Sequence, residues 1–90
     1  MSQELVLYDS PELEHASVAV LFCQEVLLEQ GLTVEAAKLE GIEISCPAMA
    51  RVALNVLRGL HVRGRAAEYV HIARHLCEHA LGERPLRRAS

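Results

Sequence analysis

The chain has 90 residues, 51% of them hydrophobic, and a formal net charge of -3. That length allows one domain, which buries only ~60–65% of the surface its unfolded chain exposes. The composition excludes an intrinsically disordered chain, and the longest apolar run, Val18 to Cys23, is too short to span a bilayer.

Aromatics are confined to Tyr8, Phe22 and Tyr69, with no Trp, so the core has to be built from Leu, Val, Ile and Ala. Charge is divided along the chain. Residues 1–50 hold nine acids and one base (Lys38), and residues 51–90 hold eight arginines and three acids. The two halves either fold together and partly cancel, or present an acidic and a basic surface to a partner or a second copy. Three cysteines without a CxxC pair, and a start, Met1-Ser-Gln-Glu, without the basic residues of a signal peptide, predict free thiols in a reducing cytoplasm.

In chain order, Glu4–Tyr8 is short and β-prone. Asp9-Ser10-Pro11-Glu12 predicts a helix start, with a capping side chain, a proline in the first turn and early acids. The helix runs to Gln30 and stops at Gly31, a C′ glycine. At 100° per residue Leu13, Ala16, Val20, Cys23 and Leu27 share one face. Val18 and Phe22 fall outside it, which fits either a helix covered on two sides or a docking surface.

Leu32–Lys38 alternates as a strand does, with Thr33 as the cap of a short helix in the second reading. Leu39-Glu-Gly-Ile42-Glu-Ile44 alternates again and ends at Ser45-Cys46-Pro47. The next helix opens at Pro47. Its predicted buried face is Met49, Val52, Ala53, Val56, Leu57 and Leu60, and its wet face Arg51, Asn55 and Arg58. Residues 65–81 fit two descriptions: a strand over 67–72 followed by a helix, or one helix with Tyr69, Ala73, Leu76, Cys77 and Ala80 on one face.

Few patterns here carry chemistry. His71, His75 and His79 recur at i, i+4, i+8, a spacing that ligates zinc or copper on a helix, with Glu68 and Glu78 nearby. That face opposes the apolar stripe, so a solvated face is the plainer reading, and no metal or other cofactor is expected. Cys46 at a helix N-terminus is a candidate thiolate, without a neighbouring His as base. Cys23 and Cys77 read as small core residues. No Gly-rich phosphate loop, HExxH, GxSxG or paired carboxylate is present, so no enzyme is expected. "LTVEAAKLEGIEIS" is similar to the first helix of a helix-turn-helix, but the following turn is too long, and nucleic-acid binding is not expected.

Taken as β–α–β–α–β–α, the stretch from "LVLYDSPELEHASVAVLFCQEVLLEQG" through "LTVEAAKLEGIEISCPAMARVALNVLRGLHVRG" resembles the STAS (sulfate transporter and anti-sigma factor antagonist) domain family. The resemblance implies a small α/β domain over residues 1–82, with 83–90 a loose tail. It also implies a bacterial signalling or transporter-associated adaptor that binds a kinase, a transporter subunit or another signalling protein. The family's regulatory corner, Asp-Ser-Ser-Gly-Leu-like, falls on Ser45, Cys46, Pro47, Ala48 and Met49, which puts proline at the phosphoacceptor. A register two residues earlier makes Ser45 the acceptor but drives Arg51 into the buried face. The docking surface is then expected at this corner with Arg51, Asn55 and Arg58, and a second patch at Val18 and Phe22. A homodimer is compatible with the divided charge. The competing fold is all-helical, a tetratricopeptide-like helix pair in a small chaperone or adaptor, and it requires residues 32–38 and 65–72 to be helical.

Overall fold

The computed structural model describes residues 8–82, and among these it contains four helices and no strand. They are α1 (Pro11–Glu29), α2 (Thr33–Leu39), α3 (Pro47–Arg58) and α4 (Arg65–Ala80). The α/β expectation, and with it the STAS-like βαβαβα order, is therefore overturned. The all-helical alternative fits. The predicted strand over residues 4–8 (but for Tyr8) and the predicted tail at 83–90 lie outside the described residues.

α1 begins and ends as its sequence dictates. Ser10 is extended (φ -156°) and its Oγ accepts from Leu13 N–H at 3.3 Å, with Pro11 in the first turn and Glu12 and Glu14 beside the positive end of the helix dipole. At the far end Gly31 takes φ 76°, which a Cβ would strain. Its N–H donates to Leu28 O at 3.0 Å, and Leu32 N–H donates to Leu27 O at 2.9 Å. That pair of bonds is the Schellman closure, and it turns the chain back so that α2 packs on α1.

α2 stands where a strand was favoured. Leu32 and Val34 alternate with polar neighbours, yet Leu32, Ala36 and Leu39 are also spaced i, i+4, i+7, and the structure buries Ala36 and Leu39 while leaving Val34 in solvent. Residues 42–45 belong to no helix or strand, and Ser45 N–H turns back to Glu43 O at 3.0 Å; the backbone bond from Asp9 N–H to Ser45 O at 3.1 Å ties them to the start of α1. Ile44 in this crossing is fully buried, and its N–H donates to Ser17 Oγ at 3.3 Å. Ser17 is the buried polar residue of α1, and it supplies the acceptor that a neighbouring strand would otherwise have provided.

α3 opens at Pro47 with Cys46 as its N-cap, whose carbonyl accepts from Met49 and Ala50 N–H. Its buried residues are Ala50, Ala53, Leu54 and Leu57. The predicted face is thus turned by roughly one residue position: Met49 and Val56 are half-buried and Val52 is exposed. Arg51, Asn55 and Arg58 are exposed as expected.

α4 is one uninterrupted helix, which replaces the strand proposed for 67–72. Ala66, Val70, Ala73 and Cys77 are buried at i, i+4, i+7, i+11, a helical stripe that a strand would split between two faces. α4 makes its most extensive contact with α1. Arg65 at the start of α4 meets Glu29 at the end of α1 (3.3 Å), so the two run antiparallel.

Ser17→Ala is expected to lower stability by ~1–3 kcal/mol, the cost of leaving the buried Ile44 N–H without an acceptor. Urea denaturation measures it. An unchanged midpoint would show that this N–H does not depend on the serine.

Candidate docking groove

The antiparallel pair α1/α4 is covered by α2 and α3 on one side and open on the other. α1 contributes Val18 and Phe22 to that open side, and α4 contributes Ile72; they are 43%, 55% and 49% exposed. Between them runs a groove of about 220 Å³ lined by His15, Val18, Ala19 and Phe22 from α1 and Tyr69, Ile72 and Leu76 from α4. Its walls are almost wholly apolar. One end is held by the Arg65–Glu29 pair, with the Arg65 guanidinium 5.6 Å from the centre of the Tyr69 ring, a contact worth ~0.5–1 kcal/mol at an exposed site.

Two other hollows are less suited to an apolar guest. One, of about 230 Å³, includes Glu43 and the Tyr8 and Ser17 side chains in its wall. The other is larger, about 530 Å³, but it is a wide depression bordered by Gln30, His61 and Arg63.

Of the residues singled out from sequence, Val18 and Phe22 thus enter a groove; of their partners, Tyr69 and Leu76 figure in the predicted apolar stripe of α4, and Ile72 was missed. The signal was present in the one-helix reading of 65–81. Ile72 falls off the buried stripe of α4, just as Val18 and Phe22 fall off that of α1.

The Ser45–Met49 corner is not a presented strand end. Ser45, Cys46 and Met49 are half-buried, Pro47 and Ala48 are exposed, and the segment leads in from the irregular 42–45 crossing. Arg58 pairs with Glu78 of α4 at 3.2 Å, an exposed contact of ~0–1 kcal/mol. On α4, His71, His75 and His79 are exposed as expected for a solvated face, and among the described residues no group of three His, Cys, Asp or Glu is placed to hold a metal ion. Half-buried Arg74 keeps its Nε out of water without a hydrogen-bond partner among the described residues.

The thiols divide by burial. Cys23 and Cys77 are inside the α1/α4 seam. Burial pushes the Cys23 thiol up to about 11. It does the same at Cys77, where the nearby Glu78 carboxylate adds to it. Cys46 is half-buried and free. No described helix is long and apolar enough to cross a membrane.

Comparison with protein-family models, with curated proteins and with solved structures finds no match to this chain. The STAS resemblance therefore rests on pattern and spacing alone, and the helices at 33–39 and 65–80 contradict the α/β fold it implied.

With a thiol-reactive dye at neutral pH, Cys46 is expected to label first, and Cys23 and Cys77 only on unfolding; fast labelling of all three would contradict the seam. Stability should also fall in alkali. A thiol raised in the fold contributes stability that is fully present below its unfolded value of 9.0 and lost as pH rises toward about 11. Urea midpoints on either side of that window should decline with pH, and less steeply in Cys77→Ala.

Proposed function

We propose that this chain is a small all-helical adaptor that carries out no chemistry of its own and works by binding another protein through the α1/α4 groove. The observation that carries this reading is the clustering of Val18, Phe22 and Ile72, each 43–55% exposed, over one apolar groove on a helix pair. Single exposed apolar residues are ordinary, but a contiguous set over a concave floor marks an interaction surface. The volume, about 220 Å³, is below the ~300–1,000 Å³ of small-molecule pockets and suits side chains presented by a partner. Free cysteines without a disulfide among the described residues are compatible with a reducing compartment such as the cytoplasm.

The docking surface is thereby moved from the Ser45–Met49 corner and the α3 arginines to the opposite side of the bundle. The test compares partners captured from the native host by three forms of the protein. Phe22→Ser/Ile72→Ser should reduce capture of each specific partner by about tenfold or more, since exposed anchors in a docking groove are worth ~1–2 kcal/mol each. Arg51→Glu/Arg58→Glu should leave it nearly unchanged. Both variants should keep their urea midpoints, because the changed side chains are exposed. Loss of capture in the arginine variant alone would return the docking surface to α3.

A further inference from the structure

The groove reading leaves the chemistry of the guest open, and the rim narrows it. On α1 the exposed meridian that carries Val18 and Phe22 also carries Glu14, one turn before them, and Glu25 and Glu29, one to two turns after. α1 contains no base other than His15. Across the groove, α4 contributes Glu68 beside Ile72, and Arg65, which is engaged with Glu29. Four carboxylates and one guanidinium therefore flank the groove, with the imidazole of His15 in its wall and that of His75 one turn after Ile72. With imidazoles neutral the surplus is negative, and it acts on a guest over a Debye length of ~8–10 Å.

The floor has the dimensions of a helix contact. From Tyr69 to Leu76 is seven residues of α4, ~10 Å or two helical turns. A guest helix with apolar side chains at i, i+3 or i+4, and i+7 would match that length. There is no strand edge among the described residues to pair with an extended peptide.

Resting on the groove as the docking surface, we infer that its occupant is an amphipathic helix of a different protein, with apolar residues on one face and Lys or Arg flanking them. A second copy of this chain is the poorer guest. A two-fold contact through this face sets Glu14 and Glu25 against the same residues of the other copy. The chain's own basic helix, α3, has its apolar face (Ala50, Ala53, Leu54, Leu57) committed to the core.

The probe is a pair of synthetic amidated peptides of about 16 residues, long enough for measurable helicity. Both carry Leu at i, i+3, i+7 and i+10; one has Lys and Arg beside the leucines and the other Glu. Binding is followed by amide NMR on the full chain. The basic peptide is expected to bind about tenfold or more tighter than the acidic one, to shift signals of Val18, Phe22, Tyr69 and Ile72, and to weaken with added salt. Glu14→Lys/Glu25→Lys should reverse the preference, and Phe22→Ser/Ile72→Ser should abolish binding of both.

Equal binding of the two peptides at the groove would overturn the charge inference while leaving the docking reading intact. No shift at the groove with either peptide would overturn the helical guest, and if capture of host partners were also insensitive to Phe22→Ser/Ile72→Ser, the docking reading would fall with it. A concentration-dependent dimer lost in Phe22→Ser would put a second copy in the groove and overturn the inference. Groove signals that move when residues 83–90 are deleted would put the chain's own C-terminal segment there, with the same consequence.

Discussion

The seam between α1 and α4 is what the rest of the molecule hangs on. Leu13, Ala16, Val20, Cys23 and Leu27 lie on one side of it and Ala66, Val70, Ala73 and Cys77 on the other, all buried. Much of this seam is alanine, cysteine and valine, small side chains that suit a close approach of two helices. The approach has a consequence at the open edge. The larger side chains flanking the seam, Val18 and Phe22 on α1 with Tyr69, Ile72 and Leu76 on α4, cannot enter it and form the walls of the groove. The interaction that holds the fold together also creates the surface left for a partner.

On the closed edge, bulk comes from Leu39, Ile44, Leu54 and Leu57, large and fully buried, contributed by α2, the 42–45 crossing and α3. A domain with no Trp needs this aliphatic cap, and Ser17 allows it by accepting the one backbone N–H that the crossing brings into the core. The charge division along the chain finds a spatial counterpart. Acids of α1 lie beside the groove, while Arg51 and Arg58 stand on α3. Among the described residues, the Glu29–Arg65 pair links the two halves, and Arg58–Glu78 joins α3 to α4 within the basic half. Both are exposed and worth little energy, so the arrangement rests on the buried seam and not on them.

Legibility followed the strength of local signals. Ser10-Pro11 and Gly31 bound α1 because a cap, a proline and a positive-φ glycine act without tertiary help. Pro47 marks α3 for the same reason. The strand readings at 32–38 and 67–72 failed because a seven-residue segment with Leu32, Val34, Ala36 and Leu39 satisfies a period of 2 and a period of 3.6 at once. Only packing against α1 decides between them. On α3 the reading favoured the valines for the interior, and Ala50 and Leu54 took those positions instead. The groove was half legible: Val18 and Phe22 stood off their stripe, but their counterpart Ile72 became visible only once 65–80 was a single helix. The family resemblance depended on two strands that are helices here.

The most direct test of the account is NMR of isotope-labelled protein, taking backbone shifts at 33–39 and 65–80 together with methyl NOEs between α1 and α4. The account predicts helical shifts through both segments, with NOEs joining the methyls of Ala16, Val20 and Leu27 to those of Ala66, Val70 and Ala73. Extended shifts over 67–72, or the absence of those NOEs, would contradict the seam and the groove that depends on it.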